Sequence, residues 1–218
     1  YPLVDFLNNE CGGLLPGRTL MAIIPGGSSV PVMTGVKRQP VSRDGKMLEP
    51  IDAHGLKVMS IGFLIEADQA LVWRGPMIHG ALMQLVRDVN WGALDYLVVD
   101  LPPGTGDVPL TVAQQLRAAG AVLVTTPQDV ALADVVRAKH MFDKLQIPIL
   151  GIVENMSQFI CPHCSKSTHI FDHGGGKKAA EMMGVTFLAE LPLELGIRQG
   201  SDIGLPIVMG KPEGAEAA

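Results

Sequence analysis

The stretch LDYLVVDLPPGTGD, residues 94–107, decides the fold. An apolar run of strand length ends in a carboxylate at Asp100, a Pro/Gly loop follows, and residues 109–119 then read as an amphipathic helix. The pattern repeats outward. Residues 121–126 form a second apolar strand, followed by a helix over 129–145. Residues 149–154 form a third strand; after a polar insert, residues 174–183 read as a helix and 187–191 as an edge strand. Upstream, residues 56–64 suit a buried strand, and 77–89 a helix started by Gly75-Pro76. Strands alternating with helices imply right-handed βαβ units. Strands apolar throughout are those buried on both faces of a parallel sheet. The expected class is therefore α/β, a doubly wound and mostly parallel sheet with flanking helices.

Composition narrows the function. The 218 residues carry a formal net charge of -5 with dispersed charges, so no basic footprint for nucleic acid is present. No apolar run approaches the ~20 residues of a membrane span, and no signal peptide is evident. Three cysteines, two of them in one Cys-x-x-Cys, do not make a secreted disulfide framework. A cytoplasmic protein that binds neither nucleic acid nor membrane is expected.

In an open α/β sheet, ligands sit at the carboxyl ends of the strands. Those ends carry residues 100–107, 126–129 and 154–156, expected on one edge. Asp100 stands where nucleotide-hydrolysing folds place the acid that holds Mg²⁺. The same position equally suits an ordinary carboxylate at a helix entry, and Asp107 equally suits an N-cap. Gly174-Gly175-Gly176 precedes a helix but lacks the G-x-x-x-x-G-K-[ST] pattern, and reads as a flexible hinge.

Cys161-Pro-His-Cys164 offers two thiolates at chelating spacing. Two ligands are half a site. His169 and His173 complete a C-x₂-C-x₄-H-x₃-H pattern within the chain, which suits a zinc knuckle. A two-fold dimer supplies four sulfurs instead. A redox pair is the third reading, although the usual placement at a helix start is missing. Cys11, alone among glycines, is read as incidental.

Several strings, taken in order, resemble the Mrp/ApbC-type iron–sulfur cluster carriers, relatives of the MinD and ParA ATPases. They are Trp73-Arg74-Gly75-Pro76-Met77, residues 94–107, Glu154-Asn155-Met156-Ser157, Cys161-Pro-His-Cys164, Ile170-Phe171 and Gly174-Gly175-Gly176. The resemblance covers about residues 29–210, with a Cys-x-x-Cys insert at 156–176; residues 211–218 read as a disordered tail. It implies a dimeric ATPase that holds a [4Fe–4S] cluster between subunits and delivers it to apo iron–sulfur proteins. Cys161 and Cys164 would be the cluster ligands. Asp100 would belong to the Mg²⁺ shell, and Gly104, Thr105, Gly106 and Asp107 to the segment that senses the γ-phosphate. Asn155 would contact the adenine. The rival functions are a zinc-stabilised interaction module and a partition or positioning ATPase of the same fold.

The departure from that family lies in residues 1–28. Members carry a Lys-Gly-Gly-Val-Gly-Lys-Ser/Thr loop, then a helix, then a strand ending in Asp-Ala-Asp before a Gly-Pro-Ser-Val-Pro string. Ser29-Val30-Pro31 matches the end of that string, so the Asp-Ala-Asp positions fall on Ala22, Ile23 and Ile24. The P-loop region is expected to be missing or altered, with Mg²⁺–ATP bound poorly as a result.

Overall fold

The computed structural model describes residues 22–24, 40–42, 46–64, 75–101, 107–116 and 118–210. Among them, β1 (Ala22–Ile24), β2 (Ile51–Ala53), β3 (Leu56–Val58) and β4 (Leu97–Val99) form one sheet in the order β2-β3-β1-β4. β1 runs parallel to both β3 and β4, pairing Ala22 with Leu97 and Ile24 with Val99. The three residues that stand where Asp-Ala-Asp is expected are thus a strand beside the one that leads to Asp100. A second sheet holds β5 (Ala121–Thr125), β6 (Ile149–Ile160), β7 (Ser167–Thr168) and β8 (Phe187–Leu193). In it, β6 lies parallel to β5 and β8 and antiparallel to β7. The helices are α1 (Gly75–Arg87), α2 (Asp107–Leu116), α3 (Asp129–Lys144), α4 (Gly175–Met183), α5 (Leu195–Asp202) and α6 (Ile207–Gly210).

Each sheet has its own core. The first gathers Met59, Phe63, Leu82, Leu85, Val89 and Trp91. Trp91 enters it at little polar cost, because its indole Nε1 donates to the Leu85 carbonyl at 3.1 Å. The second gathers Leu123, Val135, Met141, Phe142, Ile147, Ile152, Ala179 and Ala180. Leu132, Val135, Ala138 and Met141 recur every three residues along α3, the stripe a helix needs to lie on a sheet. Each fully buried aliphatic side chain of this kind contributes roughly 1.5–3 kcal/mol. Leu101, just after β4, packs against both cores.

Two expectations change. The single strand expected over residues 56–64 is β3 alone, paired antiparallel with β2 across a turn at His54 and Gly55. The chain then enters a 3-10 turn, Ile61–Phe63, whose first amide Gly62 N donates to Ser60 Oγ at 3.2 Å. The strand that was to end at Glu154 continues to Ile160. Residues 1–21, 25–28 and 211–218, and with them Cys11, lie outside the described residues.

Candidate metal centre

β6 changes role half-way along. Up to Asn155 it is a buried sheet strand, with Ile152 and Glu154 both 0% exposed. Its pairing with β8 then jumps from Asn155↔Leu191 to Phe159↔Leu193, so four residues of β6 span two of β8. Met156 sits in the left-handed region, φ 57°, within this bulge. Ser157 pins it, its buried hydroxyl donating to the Leu191 carbonyl at 3.1 Å. A bulge bends and twists its strand. Beyond it, β6 keeps one pairing with β8, at Phe159, and pairs on its other side with β7, Phe159 opposite Thr168 and Ile160 opposite Ser167. The Cys-x-x-Cys therefore caps a β-hairpin.

The tip is tight. Ser165 N donates to the Cys161 carbonyl at 2.8 Å, and Cys161 N to the Lys166 carbonyl at 3.0 Å. Ser165 closes the turn with φ 54°. This winding aims the backbone amides of His163 and Cys164 at the sulfur of Cys161. Those amides, joined by the Cys164 thiol, hold the Cys161 thiol below its ordinary range, against a small opposing effect of burial. Donors converging on one sulfur favour the thiolate, the form that ligates metal. Cys164 is exposed and Cys161 half-buried, and both are free thiols.

The histidines do not join them. His169 Nδ1 is 3.3 Å from the Ser157 carbonyl, where it donates, and its ring stacks on His173 at 4.4 Å. His173 in turn faces Glu190, Nδ1 to Oε2 4.0 Å. Among the described residues, one group of three or more potential metal ligands has its donor atoms within 4.8 Å of one another: Glu154, His173 and Glu190. The C-x₂-C-x₄-H-x₃-H pattern therefore does not close as a knuckle within one chain.

At the base of the hairpin stands a residue the sequence did not mark as functional. Glu154 accepts from Gly174 N at 3.1 Å and Gly176 N at 2.5 Å, so its carboxylate caps the start of α4. Negative charge there is favoured by the helix dipole and by otherwise orphaned amides. In the sequence this glutamate closes the apolar run 149–154 and opens the string Glu154-Asn155-Met156-Ser157, without a role of its own. The glycine triplet is not a hinge. A Cβ on Gly175 would fall inside contact distance of the Pro127 carbonyl and 2.9 Å from Leu132 Cδ1. One on Gly176 would lie 3.0 Å from Glu154 Cβ. Glycine lets α4 reach the loop after β5.

Of the other site residues, Asp100 is exposed directly after β4, and Asp107 is the first residue of α2. Gly104, Thr105 and Gly106 lie outside the described residues. Asn155 is half-buried on β6, its Oδ1 accepting from Met156 N at 2.9 Å. The structure brings together the carboxyl end of β5, the middle of β6 at Glu154 and the start of α4; it places Asp100 directly after β4 of the first sheet.

A family described as ParA, the NUBPL iron-transfer P-loop NTPases, matches residues 23–218. The chain belongs to this family. A relative of the NUBPL-type chain, an Arabidopsis thaliana protein named as an iron–sulfur protein required for mitochondrial NADH dehydrogenase, is 51% identical over 187 residues. That alignment covers 85% of this chain and 59% of the relative. An iron–sulfur cluster carrier protein of Haemophilus influenzae is 51% identical over 188 residues, covering 86% and 51% respectively. The chain thus spans between half and two-thirds of the length of these relatives. Among solved structures, a nucleotide-binding protein of Archaeoglobus fulgidus in complex with ADP superimposes with a TM-score of 0.73 at 34% identity, covering 93% of this chain and 79% of that one. The septum site-determining protein MinD of Pyrococcus horikoshii follows at 0.63 and 19% identity, covering 92% and 79%, which supports the doubly wound α/β fold. No helix among the described residues is long and apolar enough to cross a membrane.

Proposed function

We propose that this chain carries an iron–sulfur cluster as cargo, a [4Fe–4S] cluster held between two copies, and passes it to apo iron–sulfur proteins. The observation that carries the reading is the hairpin tip. Two free thiols project together, one exposed, and the other has its thiolate stabilised by backbone amides. Each copy supplies two sulfurs where a four-iron cluster needs four. Ile160, 40% exposed, directly precedes the tip and offers apolar surface to a second copy. An exposed tip also suits release, since a recipient's thiolates must reach the cluster to replace these ones.

Ligands drawn from two chains make cluster binding and association one linked equilibrium. Reconstituted protein is therefore expected to sediment as a dimer, and the cluster-free protein to shift toward monomer on dilution. A cluster-loaded monomer would refute the shared site.

Nucleotide belongs in the same reading, at the carboxyl ends of β4, β5 and β6. Asp100 and Asp107 would serve Mg²⁺ and the γ-phosphate, with Gly104, Thr105 and Gly106 between them, and Asn155 the base. The 218 residues contain no G-x-x-x-x-G-K-[ST] string. Without a lysine and amide cradle, two carboxylates facing a triphosphate repel it unless Mg²⁺ bridges them. This chain is expected to bind Mg²⁺–ATP weakly in calorimetric titration. Micromolar affinity that disappears in Asp100→Ala would overturn that expectation.

A further inference from the structure

We infer that Glu154, His173 and Glu190 form a second metal site, for a single divalent first-row cation, at the root of the cysteine hairpin. Glu154 and Glu190 are in register on neighbouring parallel strands β6 and β8, so two carboxylates stand side by side. Like charges directly across a sheet are unfavourable. Among the described residues no lysine or arginine pairs with either; the ion-pair partner present is His173, 4.0 Å from Glu190. All three donors lie within 4.8 Å of one another. A cation with ligands about 2.1 Å away needs donors about 3.4 Å apart in tetrahedral geometry. Glu154 is fixed by its two amide bonds, whereas His173 and Glu190 are 46% and 44% exposed and have room to close that difference by rotation.

The donor set indicates which cation. Two carboxylates and an imidazole are harder than the paired thiolates at the tip, and suit Zn²⁺, Fe²⁺ or Mn²⁺ rather than a sulfur-ligated cluster. Glu154 lies immediately before residues 155–172 and His173 immediately after, with the hairpin between them. A cation there ties the two stems to each other and to β8. It holds the base of the hairpin while the tip stays free to exchange its cargo.

The test uses untagged full chain carrying Cys161→Ser and Cys164→Ser, so cluster assembly does not enter and a failure here leaves the carrier reading untouched. Zn²⁺ is titrated calorimetrically. One equivalent per chain is expected, weakened about tenfold or more by Glu190→Gln and separately by His173→Ala. Co²⁺ in the same protein is expected to show d–d absorption without sulfur-to-metal charge transfer, lost in Glu190→Gln. Glu190→Gln keeps shape and size, so it decides the matter if His173→Ala disturbs the fold. Absence of stoichiometric binding in the Cys161→Ser/Cys164→Ser protein, or unchanged affinity in the variants, overturns the site.

Discussion

Cys161→Ala and Cys164→Ala are each expected to abolish retention of a cluster, taking the protein from one per pair of chains to none. The loss is total because each substitution removes two of four ligands from a shared site, one per copy, and two thiolates leave half the coordination unfilled. The variants should differ in one respect. Cys161 receives the converging amides of His163 and Cys164, so its loss orphans donors as well as a ligand. The thiol of Cys164 is exposed, and its truncation leaves the turn hydrogen bonds of Ser165 and Lys166 in place. Iron and sulfide analysis after anaerobic reconstitution, with the characteristic broad visible absorption, reads the result. The double variant His169→Ala with His173→Ala is the control and should keep its cluster, since both imidazoles point elsewhere. Loss in that control with retention in Cys164→Ala would invert the assignment.

The second large effect is structural. Gly175→Ala should destabilise the protein by about 3 kcal/mol, although alanine is the better helix former by about 1 kcal/mol. The new methyl would press on the backbone carbonyl of Pro127, which cannot rotate aside as a side chain would. Relief requires α4 to move from the β5 loop, and Ala179 and Ala180, both 1% exposed, would leave the core with it. Chemical denaturation with Gly174→Ala as comparison separates the causes. At Gly174 nothing lies within 4 Å of a new Cβ, so its cost comes from the φ of +74° alone. Equal stability of Gly175→Ala and the parent would show that the contact with Pro127 relaxes freely.

The sheet strands and long helices were legible because burial on both faces leaves an uninterrupted apolar text. α3 was read to within a residue, and so was β5. The hairpin stem was not. From Asn155 onward β6 mixes polar and apolar residues, because a bulge interrupts its pairing with β8 and β7 pairs with its last two residues. β2 escaped notice since three residues, Ile51–Ala53, are too few to show a period. The glycine triplet was misread for a different reason. Its cause is a carbonyl nearly fifty positions away in the chain, at Pro127, and no local pattern carries that. Cys161 and Cys164 were legible from spacing as a chelating pair, with metal and redox readings both open. That His169 and His173 face other partners was not, because their spacing does not reveal the Ser157 carbonyl and Glu190, which lie far away in the chain or on another strand.

One consequence of the bulged strand concerns separation. Six residues of β6 lie between Glu154 within the sheet and Cys161 at the tip, seven steps along the strand. At 3.3 Å per residue they span at most about 23 Å. In the proposed reading the cluster would rest on Cys161 and Cys164 and the nucleotide on Asp100, Asp107 and Asn155, so the two would share no ligand residue. Any signal between the two must be mechanical, carried by the stiffness of a paired ribbon and not by shared ligands. The bulge at Met156 is the joint at which such a lever would turn.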